Sequence, residues 1–332
     1  MNILDESEAS DTNGLPLVSI VMPCYNSEKY VAEAIQSLLD QTYPHCEIIV
    51  IDDGSTDSSV EILQNFGDQI LWETGPNRGA CSARNRGFEL SSGDYIKFFD
   101  ADDILLPRAI ELQVEQMQQL PSHAIPFGIG HDLLKQDEEY SNLIHTTAET
   151  SKDDMIYECF AKNISTPLPL HRRALLEQAG GFDLRIKRGQ EWTFHLHLAM
   201  SGVVFVYYPD PMYLRRAHDS PDRITNMASK RTTYDMACAS RVVNSMSIVK
   251  YYDGELSFRL KEMVYVHLLH EYRELVGMNL IREREQILEL CKPFAVKTQK
   301  IGDLPYRLVF KIFGPYFAEK VRLAIRSIRN KP

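Results

Sequence analysis

Tyr95-Ile96-Lys97-Phe98-Phe99-Asp100-Ala101-Asp102-Asp103 is the stretch on which the fold of this chain turns. Its first five residues have the length and the aromatic and β-branched character of a buried strand, and three carboxylates follow within four residues. Such charges belong at the end of a strand, because carboxylates brought together repel one another and lose hydration unless a cation or a set of donors compensates. A hard divalent ion would do so: Mg²⁺ and Mn²⁺ prefer oxygen ligands and commonly join one or two protein carboxylates to substrate phosphates. Taken alone, an Asp-rich tetrapeptide reads as a solvated acidic loop ahead of the helix predicted from Leu106 to Leu120. The residues upstream change that balance.

From Leu17 onward, short apolar runs alternate with helical periods. Val18 to Pro23 is predicted as a strand, Tyr30 to Gln41 as a helix, and Glu47 to Ile51 as a second strand. Next come a helix from Ser58 to Phe66, a strand from Gln69 to Glu73, a helix from Gly79 to Leu90 and the strand from Tyr95 to Phe99. The alternation predicts a mainly parallel sheet covered on both faces, with ligands at the carboxyl ends of the strands. Two acidic clusters fall at such ends, Asp52-Asp53-Gly54-Ser55-Thr56-Asp57 and Asp100 to Asp103. Farther on, the pattern predicts a strand from Phe127 to Leu134, a polar loop over 135–151, and helices from Met155 to Lys162 and Arg172 to Ala179. A helix from Glu191 to Ser201 and a strand from Val203 to Tyr208 follow. Beyond Ser229 the pattern is helical, through Tyr234 to Val249, Leu256 to Val276 and Ile281 to Leu290.

A length of 332 residues suits one large domain with an appendage, or two domains. The net charge of −10 argues against a nucleic-acid partner. From Lys292 onward ten Lys and Arg face two acids, a tail of +8 on a body of −18. Six cysteines without a C-x-x-C pair or a zinc spacing read as free thiols in a reducing compartment. The polar first fifteen residues lack the features of a signal peptide, and no apolar run reaches the length of a membrane span, so a cytoplasmic location is expected.

Asp-Gly at 53–54 is a common turn dipeptide, and at a strand end its carboxylates could instead accept hydrogen bonds from a base amide or a ribose hydroxyl. Pro76 to Gly87 places Arg78, Arg84 and Arg86 on or beside a short helix, suited either to an anionic group or to neutralising nearby acids. In order, Val18 to Asn26, Val50 to Asp57, Asn77-Arg78-Gly79 with Ser82-Ala83-Arg84-Asn85, and Asp100-Ala101-Asp102-Asp103 resemble the family-2 glycosyltransferases of GT-A fold. The resemblance is close over Leu17 to Arg108 and looser to about Asp219.

It implies an α/β GT-A fold, a Rossmann-like mixed, mainly parallel sheet flanked by helices, with a helical C-terminal extension. The domains implied are a disordered N-terminus over 1–15, a catalytic domain over 16–228 and a helical region over 229–332. The catalytic domain divides into a nucleotide-sugar half over 16–120 and an acceptor half over 121–228. By position, Pro23, Tyr25 and Glu28 would border the nucleoside, Asp53 would hold the uracil, and Arg78 and Arg84 would lie by the base or ribose. Asp100, Ala101 and Asp102 would line the donor, Asp102 as preferred ligand of Mn²⁺ or Mg²⁺ and Asp100 at the ribose or a metal-bound water.

Gly189-Gln190-Glu191-Trp192-Thr193-Phe194 resembles the segment in which a Glu-Asp pair precedes an aromatic residue, but here the pair reads Gln190-Glu191. Glu191 would be the general base, one methylene farther out than an Asp; without that role it would complement the dipole of its helix. Tyr213 to Asp219 resembles the Tyr-Arg-x-x-His segment of many relatives, with His218 completing the metal shell or binding the diphosphate and Arg215 or Arg216 on phosphate oxygens. The expected activity is inverting transfer of a hexose or N-acetylhexosamine, from UDP before GDP or dTDP, to a carbohydrate or lipid-linked acceptor. Polysaccharide, cell-surface glycan or glycolipid synthesis is the implied setting. The basic amphipathic segments over 305–332 fit peripheral attachment to the inner, anionic membrane face, packing on the acidic body, or a homodimer contact. A nucleotidyltransferase and a non-catalytic nucleotide-sugar-binding scaffold are the alternatives; Gln190 favours the scaffold.

Overall fold

The computed structural model describes residues 14–133, 139–140, 146–216, 239–277 and 280–294. The chain divides into two compact units, one formed by Met1–Leu184 with Gly189–Asp222, the other by Arg185–Arg188 with Arg223–Pro332. The first begins with the strand–helix alternation that the sequence predicts. It comprises β1 (Val18–Cys24), α1 (Val31–Leu39), β2 (Cys46–Asp52), α2 (Ser59–Asn65), β3 (Leu71–Thr74), α3 (Ala80–Leu90) and β4 (Tyr95–Phe98). Four of these strands run parallel in the order β3-β2-β1-β4. Val18, Ile20, Val21 and Met22 of the central strand are fully buried, as expected for a parallel sheet covered on both faces. Helix α3 lies close on β1 because Gly87 has no side chain: a Cβ there would stand 2.3 Å from Val21 Cγ1.

The register sets the position of the site. Cys24 at the end of β1 is paired with Asp52 at the end of β2. The Phe99 N–H still donates to the Val21 carbonyl at 3.0 Å, so Asp100 leaves β4 beside the end of β1. Both acidic clusters therefore emerge at one edge, where ligands of open α/β sheets bind.

The second half is less regular than the periodicity suggests. Following β5 (Ile104–Leu105), α4 (Ala109–Gln119), β6 (Ala124–Asp132) and β7 (Glu139–Tyr140) come α5 (Lys152–Ala161), β8 (His171–Arg172), α6 (Arg173–Ala179), α7 (Gln190–Met200) and β9 (Val204–Arg215). Two-residue β8 adds antiparallel to β4 and closes the first sheet. The second sheet has the order β5-β9-β6-β7. The helix predicted from Leu106 begins at Ala109, because Ile104 and Leu105 first pair with Leu214 and Tyr213. The strand predicted to stop at Tyr208 continues to Arg215. Pro209 and Pro211 do not end it, since the register against β6 shifts between Phe127 and Gly130, an irregularity where a missing N–H is tolerated. Helix α5 starts three residues before the predicted Met155, where Ser151 Oγ accepts the Asp154 N–H at 3.2 Å.

Lys97 is fully buried at the centre of β4, its ammonium donating to Gln113 Oε1 at 2.6 Å and to the Leu168 carbonyl at 3.3 Å. Burial draws its pKa down to about 7. His195 of α7 stacks on His171 with ring centroids 5.8 Å apart, and burial lowers it to about 3, so this histidine is a neutral part of the core. The second unit contains α8 (Ser240–Tyr251), α9 (Phe258–Gly277) and α10 (Ile281–Cys291), with α9 packed on both others. Among the described residues no helix is long and apolar enough to cross a membrane.

Candidate active site

The donor side is built from the loops that leave β1 and β2, laced to each other. Asn26 adopts the left-handed region (φ +46°), and its side-chain oxygen accepts the Thr56 N–H at 2.8 Å while its own N–H donates to Ser55 Oγ at 2.9 Å. Asparagine tolerates this conformation better than most residues. The Ser27 N–H donates to Ser59 Oγ at 2.8 Å, and the Glu28 carboxylate accepts the Ser58 N–H at 3.0 Å. Of the residues expected to border the nucleoside, Pro23 is half-buried, Tyr25 exposed and Glu28 exposed but bonded to the neighbouring loop. Burial, reinforced by the Asp52 carboxylate, pushes the Cys24 thiol up to about 12, which leaves it protonated and a poor nucleophile near neutrality.

The adjacent aspartates at the end of β2, Asp52 in the strand and Asp53 just after it, have separate roles. Asp52 is buried and accepts from Thr74 Oγ1 at 2.6 Å and from the Ser55 N–H, so it ties β3 to its own turn. Asp53 takes the Arg78 N–H at 2.7 Å and the Gly79 N–H at 2.8 Å, one on each carboxylate oxygen, and so holds the turn that starts α3. Gly54, at φ +77°, lies so close to that turn that a Cβ would stand 2.8 Å from the Asn77 nitrogen. Arg78 presents an exposed side chain from it, whereas Arg86 is a surface residue paired with Glu73 and Glu89 at 2.8 and 3.2 Å.

Arg84, only 6% exposed, reaches from α3 to Asp100 Oδ1 at 2.7 Å and to Gln190 Oε1 at 2.9 Å. The next residue, Asn85, clamps the chain at Phe182, accepting its N–H at 2.8 Å and donating to its carbonyl at 2.9 Å. The Phe182 ring lies 5.3 Å from the Arg84 guanidinium carbon and stacks on Phe194 of α7 at 4.0 Å. Two neighbouring residues of α3 thus anchor both ends of the segment that leads into α7.

Ala101 and Asp103 are buried, and Asp102 is half-buried. Asp103 Oδ1 accepts the Arg216 N–H at 2.9 Å, and Arg216 Nε donates to the Asp102 carbonyl at 3.2 Å. The Arg216 guanidinium also pairs with Glu33 and lies 5.2 Å from the Tyr30 ring centre. Arg215 reaches Asp132 at 3.5 Å. Arg215 and Arg216, one or the other of which was expected on phosphate oxygens, thus have carboxylate partners of their own.

Glu191 stands in the first turn of α7, whose N-terminus begins after left-handed Gly189 (φ +68°). It is half-buried, and its Oε1 accepts a hydrogen bond from Asn163 Nδ2 at 2.6 Å. Neither Asn163 nor the Arg84–Gln190 bond is legible in the sequence, since each joins residues far apart in the chain with no spacing to signal it. His218 lies outside the described residues.

Among the described residues no three His, Cys, Asp or Glu side chains gather into a metal cage. Asp100 and Asp102 at the end of β4 are nonetheless an oxygen-only pair, one of them already bonded to Arg84. That donor set fits Mg²⁺ or Mn²⁺, which take one or two carboxylates and fill their remaining positions with water and substrate phosphate.

The family model described as "Glycosyl transferase family 2" matches residues 19–175, which include all but the first residue of β1, the strands β2 to β4 and both acidic clusters. The chain is 30% identical over 217 residues to an uncharacterized glycosyltransferase of Rickettsia typhi, covering 64% of this chain and 67% of that one. It is 28% identical over 298 residues to the glycosyltransferase GlyG of Streptococcus pneumoniae, covering 83% and 94%. A Haemophilus influenzae glycosyltransferase, 46% identical over 109 residues, is matched over 44% of its own length and 32% of this chain. Among solved structures, S. aureus TarS 1-349 in complex with UDP-GlcNAc superposes with a TM-score of 0.66 at 16% identity, over 94% of this chain and 92% of that one. The fold is thus of the GT-A type.

Proposed function

The chain belongs to glycosyl transferase family 2, and from that premise we propose that it transfers a sugar from a UDP-sugar to an acceptor hydroxyl by a single inverting displacement. The observation that carries this reading is the convergence on one sheet edge of the Asp53 turn, the Asp100–Asp102 pair and the helix that begins with Gln190-Glu191. TarS, of the same fold, is described in complex with UDP-GlcNAc, which supports UDP as the first nucleotide to test.

In this reading the loops after β1 and β2 hold the nucleoside and the turn at Arg78 and Gly79 lies near it. Asp100 and Asp102 would hold the divalent ion. When bound, that ion would offset the negative charge that grows on the departing nucleoside diphosphate. Glu191 takes the proton of the acceptor hydroxyl as that oxygen attacks the anomeric carbon on the face opposite the nucleotide. The Asn163 amide fixes the carboxylate by bonding one of its oxygens, leaving the other for the proton. The first-turn position of Glu191 places the carboxylate at the positive end of the α7 dipole. Carbohydrate or lipid-linked acceptors, as in surface-glycan synthesis, are the proposed partners.

The test is a panel of UDP-, GDP- and dTDP-sugars with Mn²⁺ and candidate acceptors, scored by nucleotide release. One sugar of the panel is expected to be turned over by the unaltered protein, with release falling roughly 100-fold or more in Asp102→Ala. Nucleotide binding without turnover of any donor would favour the scaffold reading instead.

A further inference from the structure

Gln190 occupies the place where the family resemblance leads one to expect an acid, and its surroundings indicate what the amide does. Its Oε1 accepts from Arg84 Nη1 at 2.9 Å, and the same guanidinium holds Asp100 Oδ1 through Nη2 at 2.7 Å. Arg84 and Gln190 are 6% and 7% exposed, so water competes weakly for the bond between them, while the Asp100 side chain is 31% exposed on the donor side. Arg84 Nε meets no acceptor among the described residues, and the Phe182 ring lies 5.3 Å from the guanidinium carbon. The orientation of this buried cation is therefore set by two oxygens, one on the donor side and one at the first turn of α7. Desolvated charged hydrogen bonds of this kind are stronger and more directional than surface pairs.

The amide differs from a carboxylate in charge, not in its capacity to accept from Arg84. An acid at position 190 would be a second anion sharing Arg84 with Asp100. Glutamine supplies the same acceptor oxygen without that charge, so Asp100 is the carboxylate on which the cation acts. Glu191 follows Gln190 directly, so the turn that fixes Arg84 also carries the base.

We propose that Gln190 is a positioning residue that, through Arg84, ties the orientation of Asp100 on the donor side to the turn of α7 that presents Glu191. The proposal rests on the reading of this edge as a nucleotide-sugar site. Nothing need pass directly between Asp100 and Gln190, because the shared guanidinium couples them. Loss of either oxygen frees the cation to turn, and loss of the second then removes little more.

A double-mutant cycle on nucleotide affinity tests this. UDP binding with Mn²⁺ is measured by calorimetry for the unaltered protein, Asp100→Ala, Gln190→Leu and the double variant, with melting temperatures recorded for all four. Each single change is expected to weaken binding roughly tenfold, and the double variant by little more than the weaker-binding single. Gln190→Glu, which keeps an oxygen within reach of Arg84, should bind UDP within roughly threefold of the unaltered protein. If Gln190→Leu fails to fold, Gln190→Asn, shorter by one methylene, takes its place in the cycle. Losses that simply multiply across the cycle, or a Gln190→Glu variant as weak as the leucine one, would overturn the proposal while leaving the donor reading intact. An unaltered protein that binds none of UDP, GDP and dTDP at millimolar concentration would overturn both.

Discussion

Glu191→Gln is expected to lower transfer by roughly 10²–10⁴-fold while the protein still folds and binds nucleotide with nearly unchanged affinity. The substitution keeps the size of the side chain and an oxygen for the Asn163 Nδ2 donor, which bonds Glu191 Oε1 at 2.6 Å. What it removes is a group able to take a proton from the acceptor hydroxyl. The loss should therefore fall on kcat with KM for the donor little changed, because the interaction lost is one made in the transition state. Glu191→Asp retracts the carboxylate by one methylene and away from Asn163, so an intermediate rate is expected. Steady-state nucleotide release from the three proteins checks the order. Equal rates for Glu191→Gln and the unaltered protein would leave Glu191 as no more than a helix-start acid complementing the α7 dipole.

Asp53→Asn is expected to destabilise the protein by about 2–3 kcal/mol and to weaken nucleotide binding as well, although the two side chains have nearly the same shape. Each oxygen of Asp53 receives a backbone N–H, from Arg78 at 2.7 Å and from Gly79 at 2.8 Å. An asparagine can satisfy only one of them. Its amide nitrogen would then face the other donor, leaving an unpaired N–H at a site where the side chain is 7% exposed. The turn that opens α3 should loosen, and with it the position of Arg78. Chemical denaturation together with UDP titration separates the two effects. A variant of unchanged stability that has lost nucleotide binding would assign Asp53 to the ligand alone, and the clamp on the turn would carry no weight.

The parts of this protein that could be read in the chain are those in which function and local pattern coincide. The run Val18 to Cys24 and the run Tyr95 to Phe98 are largely apolar because the parallel sheet is covered on both faces, and the same burial drives the carboxylates to the exits; Lys97 stays inside only with acceptors on Gln113 and Leu168. That is why the sequence pattern alone assigns the two acidic clusters to one edge. The second half was harder for identifiable reasons. Strand β8 is two residues long, too short for any periodicity, and exists only because β4 has an open edge beside it. The strand ending at Arg215 contains two prolines that ordinarily stop a strand, and only its shifted register with β6 accommodates them. Within the acidic run the sequence resemblance separates Asp102, the preferred metal ligand, from Asp100 at the ribose or a metal-bound water, but it does not show what each carboxylate bonds. In the structure Asp103 holds the Arg216 backbone and Asp100 holds Arg84, which leaves them unequal. Gln190 looked like a defect in the sequence, because its value lies in an arginine more than a hundred positions away.

The configuration of the sugar released is the most direct measure of the central claim, that this edge carries out a single displacement assisted by one base. Time-resolved proton NMR of an accepted α-linked UDP-sugar, with water taking the place of the acceptor, reads the anomer before it equilibrates. The β-anomer should appear first, and its rate of appearance should collapse in Glu191→Gln. First appearance of the α-anomer would mean retention and contradict the mechanism.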